Sequence, residues 1–197
     1  MKKQLIFAAA TVIGVAGGLY LASSGGETPT VPVIDFTQVE DMREGDMLKL
    51  QLGADRGSDV VFTHEDGTAL TLAAFEGKFV VLNFWATWCA PCRKEMPHLS
   101  ELQTEMGGAD FEVVTIATGL NQRPAMERFL EEIGVDNLPL HTDNNSALAR
   151  DMGVVGVPVT LILNPDGFEI ARLIGDADWV SNNAKDIIIA LTELTAE

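Results

Sequence analysis

The chain has 197 residues, 47% of them hydrophobic, which suits one domain with a substantial core and argues against a disordered chain. It carries 13 Lys and Arg against 29 Asp and Glu, a net charge of −16. Nucleic acids and anionic lipid surfaces are bound by clustered cations, so this charge argues against both as partners.

The beginning of the chain differs from the rest. Lys2 and Lys3 precede residues 5–22, an apolar run without charge. Such a run is typical of a secretory signal or a membrane anchor, and its length of about 18 residues favours an uncleaved anchor. Small residues at 22–24 leave cleavage open. Since the lysines favour the cytoplasmic side, the sequence predicts a single-pass inner-membrane protein whose main domain, which follows the run, lies in the periplasm.

The sequence predicts three parts: the signal or anchor at 1–22, a tether and poorly defined lead-in at 23–57, and an α/β domain at 58–197. We expect a short helix and an edge segment within 36–58. Strand and helix patterns then alternate and end in a hairpin, which favours a mixed central sheet. The predicted elements are a hairpin over 60–72, a strand buried on both faces at 78–85, a helix from residue 90 to 106, a strand at 111–117, a helix at 123–133, a short strand or loop at 137–142, a helix at 146–152, paired strands at 157–163 and 168–174, and a last helix at 178–194.

Cys89 and Cys92 are the only cysteines, and they stand between the buried strand and the following helix. This arrangement is typical of a redox site. A disulfide across so short a loop would constrain the unfolded chain little, and structural zinc usually needs four ligands, so a reactive dithiol is favoured over both. The helix N-terminus would stabilise a Cys89 thiolate as the nucleophile. Cys92, one turn further and more buried, would resolve the mixed disulfide.

Glu95 follows Cys92 by three positions, so their side chains are neighbours on one helix face. Its carboxylate could accept the proton of Cys92 during resolution, and it would raise the pKa of a nearby thiol. The alternative is a solvated charge that pairs with Arg93 or Lys94. Pro91 suits the first helical turn, where a missing N–H costs nothing.

Four stretches carry a family resemblance: NFWATWCAPCRKEMP, DFEVVTIA, GVVGVPVTLILNPDGFEIARLIG and DADWVS. With the anchor, they resemble the thioredoxin-fold thiol–disulfide proteins of the TlpA, ResA and CcmG group, the membrane-anchored TlpA type in particular. The resemblance covers most of residues 58–195. It implies a thioredoxin-like fold whose mixed central sheet is flanked by helices, with an N-terminal hairpin and an insertion between residues 117 and 147, before the cis-proline strand.

The resemblance also implies roles for single residues. Pro158 would be a cis-proline that faces the cysteine pair, and the backbone of Val157 would be free to pair with an extended substrate segment. Trp88 would belong to the rim where partners dock, together with Pro91. Asn83 stands where plain thioredoxins carry a buried Asp, so proton handling would fall to Glu95.

For function, the resemblance implies an extracytoplasmic reductant of specific protein disulfides. Its targets would be copper-binding cysteines of respiratory oxidase assembly or haem-attachment cysteines of cytochromes c. A membrane thiol carrier would supply electrons, and no cofactor or metal is expected.

Two alternatives remain open at this point. A Cu(I)-binding module would use the same two thiolates, but copper proteins of this fold usually space the pair by three residues and add a His. A thiol peroxidase normally has Thr or Ser where Trp88 stands. The three histidines are expected at the surface or in packing, and they are His64, His98 and His141.

Overall fold

A computed structural model describes residues 35–194. Its central feature is one eight-stranded sheet with the order β1-β8-β7-β4-β5-β6-β2-β3. The β4–β5 and β5–β6 pairs are parallel, and the others are antiparallel. The strands are β1 (Leu50–Arg56), β2 (Phe62–Thr63), β3 (Ala69–Leu70), β4 (Phe79–Trp85), β5 (Phe111–Thr118), β6 (His141–Asp143), β7 (Val159–Leu163) and β8 (Glu169–Ile174). The mixed sheet predicted from the sequence is confirmed.

Helices cover both faces of this sheet. They are α1 (Thr37–Met42), α2 (Ala90–Met106), α3 (Arg123–Glu132), α4 (Ala147–Asp151) and α5 (Asn182–Leu194). Two 3-10 turns, Gly45–Lys49 and Leu72–Phe75, complete the described elements. The predicted hairpin over 60–72 is present as the β2–β3 pair, and the predicted insertion contains α3 and β6.

Strand β4 lies in the middle of the sheet, and all seven of its residues are buried. Because side chains alternate along a strand, Val81 and Trp85 enter the core beneath α2, α3 and α5, whereas Leu82 and Phe84 enter the opposite core with α4. Asn83 lies between Val81 and Trp85 on the same face of the strand. An apolar strand therefore directs one amide side chain towards α2.

The lead-in contributes to this sheet. Residues 37–56 form α1, the first 3-10 turn and the edge strand β1, which pairs with β8. The short helix and edge segment expected there are confirmed. The division of the chain at residues 22 and 57 stays a prediction.

The predicted location needs a correction. A membrane-spanning helix needs about 20 predominantly apolar residues. The longest described helix, α2, has 17 residues and contains charged side chains. Within residues 35–194, no helix is long and apolar enough to cross a membrane. This finding contradicts the prediction of a single-pass inner-membrane protein with a periplasmic catalytic domain. Residues 1–22, on which the prediction was based, lie outside the described part.

Candidate active site

The two cysteines lie where β4 passes into α2. They form a disulfide with an S–S distance of 2.05 Å. Cys89 is the residue that caps α2, and its Sγ accepts a hydrogen bond of 3.2 Å from the backbone N–H of Cys92. Cys92 is the more deeply buried of the two, and Pro91 lies in the first helical turn. Free N–H groups at this end of the helix stabilise negative charge on Cys89 when the disulfide is reduced.

The loop before the cysteines is attached to the loop after β5. The side-chain oxygen of Asn121 accepts hydrogen bonds from the backbone N–H of Thr87 at 2.9 Å and from its hydroxyl at 3.0 Å. The amide of Asn121 donates to the carbonyl oxygens of Thr118 and Gly119. Asn121 is buried and Thr87 is half-exposed, so this connection is partly shielded from water and holds the chain that leads to Cys89.

The two tryptophans of the motif take different positions. Trp85 is fully buried and packs against Phe129, with ring centroids 4.9 Å apart. Trp88, next to Cys89, is 71% exposed. The exposed Trp88 fits a surface that meets a partner, whereas the buried Trp85 belongs to the core.

Pro158 lies beside the disulfide loop. The Val157–Pro158 peptide bond is cis. Pro91, Val157 and Pro158 line one cavity of about 280 Å³. A second cavity, of about 360 Å³, is lined by Trp88 and shares the Val155–Val157 wall. The four residues predicted to bind substrate therefore border two adjoining cavities, which the neighbours of the cysteines in sequence, Trp88 and Pro91, help to line.

Glu95 is buried, with 1% of its surface exposed. Its Oε1 accepts a hydrogen bond of 2.6 Å from the indole N–H of Trp179 and a longer one of 3.4 Å from the hydroxyl of Thr160. Its Oε2 accepts a bond of 3.2 Å from the amide of Asn83, which also donates to Thr160 at 2.8 Å. The alternative of a solvated charge paired with Arg93 or Lys94 is excluded by this burial.

Burial raises the pKa of Glu95 to about 7, because removal from water disfavours the charged form. The hydrogen bonds from Trp179, Asn83 and Thr160 act in the opposite direction, and the nearby negative charge of Asp176 adds to the increase. A carboxyl with this pKa takes up and releases protons near neutrality. It is therefore suited to general acid–base work beside a thiol.

Sequence reasoning missed three of these side chains, namely Thr160, Trp179 and Asn121. Trp179 lies in the DADWVS stretch, which was used only as a family signature. Thr160 follows Pro158 by two residues and therefore faces the same side of β7, a signal that strand alternation could have supplied.

None of the three histidines lines the two cavities described above. His141 is buried on β6, contacts the rings of Phe62 and His64, and accepts a hydrogen bond from the backbone N–H of Glu65. His98 is half-buried and lies near Asp178. Within residues 35–194, no group of three or more His, Cys, Asp or Glu residues is arranged to hold a metal ion.

Known proteins resemble this chain in sequence and fold. Residues 53–169 match the model of the AhpC/TSA family. The thiol-disulfide oxidoreductase ResA of Bacillus anthracis is 30% identical over 131 residues, which cover 66% of this chain and 74% of the relative. That of Bacillus subtilis strain 168 is 32% identical over 114 residues, 56% of this chain and 63% of the relative.

Solved structures share the fold. The thiol:disulfide interchange protein DsbE from Chlorobium tepidum aligns with a TM-score of 0.62 at 22% identity, over 72% of this chain and 98% of that one. A secreted thiol-disulfide isomerase from Corynebacterium glutamicum aligns with a TM-score of 0.60 at 23% identity, over 79% and 96%. The thioredoxin-like fold is thereby confirmed. The chain belongs to the AhpC/TSA family, as one of its thioredoxin-like thiol–disulfide oxidoreductases.

Proposed function

We propose that the chain reduces specific protein disulfides in an oxidising compartment outside the cytoplasm, with Cys89 and Cys92 as its reactive dithiol. The observation that carries the proposal is the buried Glu95 carboxyl, one helical turn after Cys92 and surrounded by neutral donors. A negative charge there raises the pKa of a neighbouring thiol. Thiols of higher pKa are poorer leaving groups and belong to more reducing couples.

The reaction starts from the reduced protein. The Cys89 thiolate attacks one sulfur of the substrate disulfide and forms a mixed disulfide, while the other substrate sulfur leaves as a thiolate and takes a proton from solvent. Cys92 gives its proton to Glu95, and its thiolate attacks the Sγ of Cys89. The second substrate thiolate leaves and is protonated. Two electrons have then passed to the substrate, and the Cys89–Cys92 disulfide seen in the structure has formed.

The surroundings of the cysteines supply the binding surface in this proposal. Trp88 offers an exposed apolar face beside Cys89, and Pro91 and Pro158 contribute to the adjoining cavity. Val157, half-exposed before the cis-proline, offers backbone groups to an extended segment of the partner. We therefore propose that the partner presents its cysteine in an extended segment.

We further propose that the targets are copper-binding cysteines of oxidase assembly or haem-attachment cysteines of apocytochromes c. The resemblance to the TlpA, ResA and CcmG group supports this choice of pathway. A reductant in an oxidising compartment must itself be reduced again, and a membrane thiol carrier is the donor that we propose.

Trapping of the mixed disulfide tests both the proposed exchange reaction and the proposed targets. In Cys92→Ser, the mixed disulfide on Cys89 cannot be resolved, so the variant should accumulate covalent adducts that a dithiol releases. Mass spectrometry of the adducts then identifies the targets. The matched control is the double variant Cys89→Ser/Cys92→Ser, which should capture nothing.

Two results would count against the proposal. Exchange that survives Cys89→Ser removes the assigned nucleophile and, with it, the proposed reaction. Adducts that contain neither copper-binding nor haem-attachment cysteines leave the exchange reaction in place but contradict the pathway.

A further inference from the structure

The last part of the chain reaches into the active site through one side chain. Trp179, just before α5, is fully buried and donates the shortest hydrogen bond that Glu95 receives. We propose that Trp179 is a positioning residue for disulfide exchange: its indole N–H holds the Glu95 carboxylate in the orientation and charge state that accept the proton of Cys92. This inference depends on the proposed function, because it assigns a role within the same resolution step.

The two carboxylate oxygens of Glu95 are not equivalent. Oε1 accepts the 2.6 Å bond from Trp179 and the 3.4 Å bond from Thr160. Among the described residues, Oε2 accepts one bond, from Asn83 at 3.2 Å. Trp179 thus occupies Oε1, and Oε2 retains more capacity for an incoming proton. A hydrogen bond to the charged form of an acid also favours that form.

A second buried tryptophan offers a comparison for this contact. Trp85 is as deeply buried as Trp179, on the same core. Its indole N–H has no hydrogen-bond partner among the described residues. Trp85 thus contributes only its ring to the core, whereas Trp179 contributes its ring and an N–H donor. Trp85 is therefore a matched reference for the effect of the donor.

Polar groups near Glu95 come from three directions, two of which contribute charged or titratable side chains. Asp176, after β8, is negative and opposes ionisation of Glu95. Cys92 lies one turn before Glu95 on α2, and His98 lies one turn after it, 3.7 Å from Asp178. From β4 and β7 come the neutral Asn83 and Thr160. The donors are therefore the groups that offset the burial of the carboxylate, and Trp179 has the shortest contact.

The resolution step, in which Cys92 attacks the mixed disulfide, can be measured by itself with a coloured aryl disulfide. The Cys89 thiolate of the reduced protein attacks this probe and releases one coloured aryl thiolate. Cys92 then loses its proton to Glu95, attacks the Sγ of Cys89 and releases the second. The rate of the second release, followed across pH, reports the acceptance of the Cys92 proton.

In Trp179→Phe we expect the second release to be about fivefold slower at pH 7, because loss of a hydrogen bond to a charged group makes Glu95 harder to ionise. The inflection of its pH profile should move upward by about one unit, with the rate restored at higher pH. A merely structural role for Trp179 would not move this inflection.

Two controls separate the donor from the ring. Trp85→Phe removes the same atoms and no hydrogen bond, so its pH profile should keep the inflection of the parent protein. In the Glu95→Gln background, Trp179→Phe should cause no further change, since the group it positions is gone. If Trp179→Phe does not fold, benzothienylalanine at position 179 preserves the shape of the ring and removes the N–H.

An unchanged inflection in the folded Trp179 variant, with a flattened profile in Glu95→Gln, would overturn this inference and leave the proposed function intact. Failure of the parent protein to release any aryl thiolate would instead contradict the proposed function itself.

Discussion

Two glutamates of this protein are equally buried and differently surrounded. Glu95 on α2 and Glu169 on β8 each have 1% of their surface exposed. Glu169 binds the guanidinium of Arg172 through both carboxylate oxygens, and Arg172 also donates to the carbonyl oxygen of Met152 at 3.0 Å. Glu95 receives its hydrogen bonds from three neutral side chains.

The difference lies in what replaces water around each carboxylate. At Glu169, a full positive charge compensates the negative one, and the hydrogen bonds to Glu169 raise the pKa of Arg172. At Glu95, dipoles compensate only part of the cost of burial, and the pKa rises to about 7. A buried carboxyl with a cation thus holds the structure together, and one with neutral donors remains free to exchange protons.

Removal of the charge should affect stability differently at the two positions. Glu169→Gln leaves the largely buried guanidinium of Arg172 without its partner, and we expect a loss of about 3 kcal/mol in the free energy of unfolding. Glu95→Gln removes an unfavourable buried charge and should not destabilise the protein at pH 7. Denaturant unfolding of the oxidised proteins measures both changes. Equal losses in the two variants would contradict the distinction.

The titration of the buried Glu95 carboxyl should appear in the pH dependence of stability. Its pKa is 4.5 in the unfolded reference and about 7 in the fold, so between these values the folded state binds more protons. Stability should therefore fall as pH rises from about 4.5 to about 7, by about 3 kcal/mol in total, and Glu95 should add no slope outside this window.

The difference between the parent protein and Glu95→Gln isolates this contribution from the other carboxyls. Both proteins are measured in the oxidised form, since disulfide-bonded cysteines do not titrate. A difference that stays constant between pH 4 and pH 8 would show that Glu95 is not the titrating group.

The coupling between Glu169 and Arg172, measured with a double variant, should be a smaller free energy than the two effects above. Glu169→Gln with Arg172→Gln removes both charges, so no unpaired ion remains, and its cost should be lower than the sum of the single costs by about 1–2 kcal/mol. The same unfolding measurements complete this double-mutant cycle. Additive costs would mean that the two side chains do not stabilise each other.

The smallest effect is expected where the two carboxyls should be independent. Glu169→Gln should leave the inflection of the second thiolate release unchanged, because Glu95 and its donors remain in place. The aryl disulfide assay measures this inflection at a temperature where the variant is folded. A shift comparable to that of Trp179→Phe would contradict the separation of the two roles.

Much of the fold could be predicted because its signals are local. The apolar run before the cysteines predicts a buried strand, and β4 is buried along its whole length. The helical period after Cys89 likewise depends on neighbours in sequence. The place of the β2–β3 hairpin in the sheet was harder to predict, since β2 pairs with β6 in a register that only the assembled sheet defines.

The active site was predicted in part for the same reason. Cys89, Cys92 and Glu95 lie on one helix, so their spacing was enough to place them together. The partners of Glu95 lie far along the chain: 84 residues separate it from Trp179 and 65 from Thr160. Asn121 lies 34 residues after the Thr87 that it holds. No periodicity in the sequence brings such residues together.

By itself, the sequence determined the dithiol at a helix N-terminus, the strand that leads to it and the acid one turn beyond, because each depends on spacing within one or two elements. Only the tertiary structure decided that Glu95 is buried rather than solvated, and that neutral donors surround it while Glu169 has a cation. The physical reason is that the charge state of a buried acid is set by groups from β4, β7 and the segment before α5, which meet only when the sheet and its helices are packed.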